Sequence, residues 1–151
     1  MKKEKNIPKI ESFMKLRSFV LYGASAKKKK FGNSVLSELR KKNYKVFPVH
    51  RTANFIDGIK AYSSLNELPE KPEGVILIIP PAETEHVVDE IISAGIKNVW
   101  FQQGSVSDRA VRYCMLNGIN VISNECVLMF TGHAGFPHNL HKWIWGIGSG
   151  A

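Results

Sequence analysis

The most unusual stretch of the sequence is GASAKKKKFG, which begins at Gly23 and ends at Gly32. It follows the apolar run SFVLY and precedes NSVLSELRKKN, where valine and leucine recur at helical spacing. Small residues between a strand and a helix let main-chain N–H groups approach a phosphate, and the helix start adds partial positive charge. The stretch does not match GxGxxG, so a tight turn with solvated lysines is the alternative.

A second loop helps to discriminate between nucleotides. An NAD site normally has Asp or Glu at the end of the second strand, where the carboxylate holds the ribose 2′-hydroxyl. Here Val49 is followed by His50 and Arg51, and no carboxylate comes before Asp57. A basic group suits an extra ribose phosphate, which NADP carries at the 2′ position and coenzyme A at the 3′ position. The sequence therefore disfavours plain NAD.

Two further loops contribute apolar and amide groups. The segment from Ile79 to Pro81 is rigid and lacks two N–H donors, so it could form a wall for an adenine ring or a thioester arm. Alternatively, its prolines merely end a strand before a helix. In WFQQGSVS, Gln103 and Gly104 offer polar groups, and Ser107 is predicted to cap the next helix.

The elements that must position these loops alternate along the chain. Strands are predicted at SFVLYG, YKVFPVH, GVILII, KNVWFQ and INVIS, and helices at NSVLSELRKKN, AETEHVVDEIISAG and SDRAVRYCMLNG. Asn33 or Ser34 is the predicted N-cap of the first of these helices. Apolar strands separated by amphipathic helices predict an α/β fold, a doubly wound, mostly parallel Rossmann-like sheet with helices on both faces. Ligands of such sheets bind beyond the carboxyl ends of the strands, where all four loops lie.

The length of 151 residues suits a single domain. We expect a basic N-terminal extension over residues 1–17, a nucleotide-binding domain over 18–130, and a C-terminal tail over 131–151 that packs on it. The segment RTANFIDGIKAYSSLNELPEKPE interrupts the alternation, with a short extended piece at IKAY and a brief helix at SSLNEL. After Ser123 we predict a short helix at NECVLMF and a terminal helix at NLHKWIWGI that docks Trp143 and Ile144 or Ile147.

The charge balance points to an anionic partner. Twenty-one lysines and arginines outnumber thirteen acidic residues, giving a formal net charge of +8. A phosphorylated cofactor, nucleic acid and acidic lipid would all fit this sign. Nucleic acid is the weaker reading because no interleaved aromatic and basic reading motif is present. No apolar run is long enough to span a membrane or to serve as a signal peptide, and two cysteines make no disulfide framework, so we expect a cytoplasmic protein.

No catalytic constellation is evident, because the sequence shows no Ser-His-Asp order, paired carboxylates or P-loop. His138 and His141 are one helical turn apart and could bind a metal with His133, although packing of the tail is the favoured interpretation. Cys126 could be a reactive thiol at a helix start, but a buried structural cysteine is favoured there, and Cys114 is predicted to lie in the core.

The succession of motifs carries a resemblance. GAS…FGNSVLSELRKKNYKVFPV, IKAYSSLNELPEKPEGVILIIPPAE and IKNVWFQQGSVSDRAVRYCMLNGINVISNECVLMF follow one another in order. Together they resemble the small single-domain CoA-binding proteins and the nucleotide-binding domain of the succinyl-CoA synthetase α subunit, over roughly Ser18 to Phe130. The resemblance implies a Rossmann-like domain that holds coenzyme A or an acyl-CoA. The diphosphate would lie on the first loop, the adenosine between the ends of the first strands, and the pantetheine arm beside Pro80.

The resemblance also implies which residues bind the cofactor. The family usually has Pro-Val-Asn-Pro and then a basic residue, whereas this chain has His50 in place of the asparagine and a positive charge on Arg51. We expect accessory CoA binding without catalysis, with NADP as the alternative cofactor, and with a homodimer or a larger acyl-CoA-handling complex as the assembly. The predicted cofactor-binding residues are Gly23, Ala24, Ser25, Lys30, Phe31, Val49, His50, Arg51, Ile79, Pro80, Pro81, Gln103 and Gly104.

Overall fold

The computed structural model describes residues 2–131, with side chains from residue 6 onward. The α-helices are α1 (Lys2–Met14), α2 (Phe31–Lys41), α3 (Pro81–Ser93) and α4 (Asp108–Leu116). The strands are β1 (Ser18–Tyr22), β2 (Lys45–Val49), β3 (Phe55–Ile56), β4 (Ile59–Lys60), β5 (Gly74–Leu77), β6 (Asn98–Gln102) and β7 (Asn120–Glu125). Two short 3₁₀ helices cover Leu65–Glu67 and Val127–Met129.

Five of the strands form one parallel sheet in the order β2-β1-β5-β6-β7. The chain first moves from β1 outward to β2, and then returns to the other side of β1 to add β5, β6 and β7. The direction of winding therefore reverses between β1 and β5. In open parallel sheets, this reversal opens a crevice beyond the carboxyl ends of the two strands.

Side chains that alternate along each strand fill two separate cores. On one face, Phe19 and Leu21 pack with residues of α1 and α2. On the other face, Val20 and Tyr22 pack with residues of α3 and α4. Because both faces of the sheet are covered, its strands are apolar at nearly every position. The predicted fold class, a doubly wound parallel sheet with helices on both faces, is confirmed.

Helix α1 contributes directly to the first core. Phe13 and Met14 are buried, and the ring of Phe13 stacks on that of Phe19 with 5.0 Å between centroids. The hydroxyl of Tyr44 donates a 2.6 Å hydrogen bond to the carbonyl of Met14, which ties the end of α1 to the start of β2. Trp100 is fully buried beneath α1, and its indole N–H donates to the carbonyl of Glu125.

The segment between β2 and β5 is more regular than its sequence predicts. Strands β3 and β4 pair as a hairpin whose turn residues, Asp57 and Gly58, both have positive φ. Such a turn matches the twist of paired strands. Tyr62 then forms a parallel bridge to Val49 at the open edge of β2. The brief helix predicted at SSLNEL is the 3₁₀ turn Leu65–Glu67.

The last described elements differ slightly from the prediction. Strand β7 continues to Glu125, so only the 3₁₀ turn Val127–Met129 is left of the helix predicted at NECVLMF. The predicted terminal helix, with Trp143, lies outside the described residues. None of the helices in residues 2–131 has the length and apolarity required to cross a bilayer.

Candidate functional site

Two glycines allow the first loop to pack tightly against the sheet. Gly23 has φ of +120°, and a Cβ atom at this position would overlap the carbonyl oxygen of Ile78, just after β5. A Cβ atom on Gly32 would in turn overlap the carbonyl of Gly23. The start of α2 therefore lies directly on the end of β1, at a distance that only glycine permits at either position.

Asn33 holds this loop in place. Its side chain is 3% exposed, and its Oδ1 accepts hydrogen bonds from the backbone N–H groups of Ser25 (2.8 Å) and Lys30 (3.2 Å). Its Nδ2 donates to the carbonyl of Ser25 (2.8 Å) and to Oδ2 of Asp57 (3.0 Å). The sequence-based assignment of the N-cap to Asn33 or Ser34 is wrong, because α2 begins two residues earlier and its N-cap is Lys30. Asn33 acts from the third helical position instead, where its side chain reaches back to the cap.

These bonds determine which groups of the loop face a ligand. The N–H of Ser25 is already paired with Asn33, and its Oγ accepts longer bonds from the N–H groups of Lys27 and Lys28. The hydroxyl proton of Ser25 is left to donate elsewhere. At the start of α2, the N–H groups of Phe31 and Gly32 have no acceptor within residues 2–131. Unpaired N–H groups at a helix start are suited to binding a phosphate.

His50 organises the loop after β2. Its Nδ1 accepts hydrogen bonds from the backbone N–H groups of Thr52 (3.2 Å) and Ala53 (3.0 Å). An asparagine Oδ1 can make the same turn, because it too accepts from N–H groups two and three residues ahead. With Nδ1 as an acceptor, the neutral ring carries its proton on Nε2. The histidine thus supports the turn that presents Arg51.

The loops after β1, β2 and β5 enclose a cleft of about 550 Å³ at the point where the winding reverses. This cavity, called the cleft below, gathers seven of the thirteen predicted residues. They are Gly23, Lys30, Val49, His50, Arg51, Ile79 and Pro80. Parallel neighbouring strands end at the same edge of the sheet, and this is why loops that are distant in sequence converge here.

The other six predicted residues do not line the cleft. Ala24 is buried in the turn, Ser25 is half-buried, and Phe31 is exposed at the start of α2. Pro81 is the exposed first residue of α3. Gln103 and Gly104 are exposed beyond β6, and the amide of Gln103 donates to the carbonyl of Asn124 (3.3 Å).

The acidic wall of the cleft comes from α3 and was not predicted. Glu83, His86, Val87 and Glu90 occupy positions i, i+3, i+4 and i+7, and therefore one side of the helix lines the cleft. This spacing was visible in the sequence, but not the direction in which that side of the helix faces. The cleft therefore has an acidic wall on α3 and basic residues on the loops after β1 and β2.

Two buried hydroxyls fix the position of α3. Thr84 is fully buried, and its Oγ1 donates to the carbonyl of Ser105 (3.1 Å). Ser107 Oγ donates to Oε1 of Glu85 (2.8 Å) and accepts from the N–H of Ala110, so its predicted role as a helix cap is confirmed. These bonds connect the acidic wall to the loop after β6.

Tyr22 lies at the end of β1, on the floor of the cleft. Its side chain is 7% exposed, and its hydroxyl has no hydrogen-bond partner in the part of the chain that the structure describes. Burial, with a smaller contribution from the negative charge of Glu90, raises the pKa of this phenol far above its ordinary value. The phenol is therefore neutral at physiological pH. From the sequence, Tyr22 is predicted only to be part of an apolar strand.

The two cysteines, Cys114 and Cys126, do not line the cleft. Cys114 and Cys126 are free and buried, as predicted, and burial raises the pKa of the Cys114 thiol to about 11. Within residues 2–131, no three His, Cys, Asp or Glu side chains are placed to share a metal ion. The metal site considered for His133, His138 and His141 lies outside the described residues.

Comparison with known proteins gives relatives of two kinds. The chain is 26% identical over 136 residues to the α subunit of ADP-forming acetate–CoA ligase II from Pyrococcus furiosus, covering 83% of this chain and 30% of the subunit. The chain spans 30% or less of the first curated ligases that it matches. A conserved hypothetical protein from Pyrococcus furiosus has 33% identity and a TM-score of 0.69, with 74% of this chain and 96% of that chain covered. A hypothetical protein from Pyrococcus horikoshii has 30% identity and a TM-score of 0.75, with 80% and 85% covered.

A family model matches most of the described chain and not only one motif. The model described as a CoA binding domain matches residues 17–131, which include the glycine-containing loop, the cleft and every strand of the main sheet. This confirms the resemblance noted in the sequence to CoA-binding and succinyl-CoA synthetase-like proteins. The chain therefore belongs to the CoA binding domain family.

Proposed function

We propose that the chain binds coenzyme A or an acyl-CoA in the cleft, in an accessory role without catalysis. The observation that carries the proposal is the position of Lys30 and Arg51. They come from loops twenty-one residues apart in sequence and yet line the same cavity, next to the start of α2. A polyanionic cofactor needs such a combination of positive charge and unpaired main-chain N–H groups.

The dimensions and composition of the cleft support this proposal. Its volume of about 550 Å³ falls within the range of roughly 300–1,000 Å³ typical of cofactor sites. The close approach of Gly23 and Gly32 brings the N–H groups at the start of α2 beside the end of β1, where a diphosphate would lie. Val49, Ile79 and Pro80 supply apolar surface for the adenine ring, as the family resemblance implies.

A second candidate is an NADP-binding domain, because a basic group beside β2 would also suit a 2′-phosphate. Plain NAD fits less well, since the first carboxylate after β2 is that of Asp57. Asp57 accepts a hydrogen bond from Asn33 and does not line the cleft, so it is not placed to hold a ribose hydroxyl. The family match favours coenzyme A over NADP.

Thermal unfolding with CoA, acetyl-CoA, NADP, NAD and duplex DNA distinguishes these ligands. A ligand that binds only the native state stabilises it by RT ln(1 + [L]/Kd), which is about 2.7 kcal/mol at a concentration of 100 Kd. We expect CoA or acetyl-CoA to raise Tm by several degrees and NAD to have no effect. A rise with NADP and none with CoA or acetyl-CoA would replace the proposal with the second candidate. A rise with DNA alone would indicate a nucleic-acid-binding protein. Light scattering of the same samples tests the expected homodimer.

A further inference from the structure

The hydroxyl of Tyr22 is the one buried side-chain polar atom in residues 6–131 that has no hydrogen-bond partner. Tyr22 lines the cleft, so a ligand or a water that enters the cleft can supply the missing partner. Leaving a buried hydroxyl unpaired is unfavourable, and a binding site recovers this cost when the ligand pairs with it. A neutral phenol can donate its proton and can also accept a hydrogen bond.

Glu90 also lines the cleft. Its negative charge is close enough to the Tyr22 phenol to act on it electrostatically. A carboxylate only accepts hydrogen bonds, whereas the phenol can donate one. Phosphates would be attracted to Lys30 and Arg51, which come from the loops after β1 and β2. The side formed by Tyr22 and Glu90 is therefore suited to an uncharged group that offers a donor beside an acceptor.

Adenine has such an edge, because its exocyclic amine is a donor and the adjacent ring nitrogen is an acceptor. We propose that Tyr22 and Glu90 read this edge of adenine in the bound cofactor, Tyr22 donating to the ring nitrogen and Glu90 accepting from the amine. This inference rests on the proposed binding of coenzyme A. The pair would select against a 6-oxopurine, because the purine carbonyl would then face the Glu90 carboxylate with no proton between them.

The experiment compares CoA with its deaminated analogue, in which hypoxanthine replaces adenine, by titration calorimetry. The wild type should bind CoA about tenfold or more tightly than the analogue, in line with the discrimination of a two-bond base contact. Tyr22→Phe should weaken CoA binding by roughly fivefold, the effect of losing one hydrogen bond. Glu90→Gln should reduce or reverse the preference, because its amide can donate to the 6-oxo group. Asp89→Asn removes a charge from α3 away from the cleft and should keep the wild-type preference.

The outcomes separate this inference from the proposed function. If the wild type binds CoA and its analogue equally, if Tyr22→Phe binds CoA as tightly as the wild type, or if Glu90→Gln keeps the wild-type preference, the inference is overturned and CoA binding stands. If the wild type binds neither ligand, the proposed function fails and the inference fails with it. Tyr22→Phe keeps the ring and removes only the unpaired hydroxyl, so its Tm should equal or exceed that of the wild type. Glu90 is exposed on α3, so Glu90→Gln tests the inference without disturbing the core.

Discussion

Replacement of Asn33 by alanine tests how the loop at the start of α2 is held. The substitution removes four hydrogen bonds, three to the backbone of Ser25 and Lys30 and one to the carboxylate of Asp57. Each such bond contributes about 0.5–1.5 kcal/mol net. Because water can reach part of this loop after the change, we expect a loss of about 2–4 kcal/mol. For a domain of this size, that corresponds to a decrease in Tm on the order of 10 °C.

The assay is thermal and urea unfolding of Asn33→Ala beside the matched variant Ser34→Ala. Ser34 is the exposed neighbour on α2, so its replacement should leave Tm unchanged or slightly higher. CoA should also bind Asn33→Ala less tightly, because the loop that presents Lys30 is no longer fixed. If Asn33→Ala unfolds within about 2 °C of Ser34→Ala, the side chain of Asn33 does not hold the loop, because roughly 2 kcal/mol or more should be lost.

Three further predictions concern the sheet edge, the charges and the core. Gly23→Ala should lower the free energy of unfolding by at least about 3 kcal/mol, because the new Cβ atom meets a main-chain carbonyl. The control Gly118→Ala is also at positive φ but lies in open space, so it should lower the free energy of unfolding by only about 1 kcal/mol. Equal losses of stability in the two variants would mean that the close approach of Gly23 to the end of β5 does not contribute to stability. The double variant Lys30→Glu/Arg51→Glu should weaken the binding of CoA much more than that of dephospho-CoA, as measured by calorimetry. Equal weakening of both ligands would show that neither residue contacts the 3′-phosphate. Because burial raises the pKa of Cys114 from about 9 to about 11, unfolding releases a proton above pH 9, so the free energy of unfolding should fall between pH 9 and 11. Cys114→Ala should reduce that slope, and an unchanged slope would contradict the assignment.

The convergence of Lys30 and Arg51 was predictable because it depends only on topology. Both follow apolar strands, and adjacent parallel strands direct their following loops to the same edge of the sheet. The positions of Gly23 and Pro80 were predictable for the same reason. The alternation of strands and helices in the sequence therefore identifies the edge of the sheet that carries the cleft. It also identifies the basic residues there, Lys30 and Arg51.

The contacts that shape the cleft could not be predicted in this way. Two partners of Asn33, Ser25 and Asp57, lie eight residues before it and twenty-four residues after it, and no local pattern encodes such distances. Tyr22 belongs to an apolar strand, and the sheet face on which it lies depends on register. The approach of Glu90 depends on how α3 packs, which the buried hydroxyl of Thr84 helps to fix. Tertiary packing decides each of these features.

We propose that coenzyme A binds where β1 turns into α2, between Lys30 and Arg51. An amide NMR titration of the isotopically labelled protein with CoA locates the binding site residue by residue. We predict saturable shifts at Phe31, Gly32 and Arg51, with little change along α4. Shifts confined to α4, or no saturable shifts anywhere in the titration, would show that CoA does not bind at this edge.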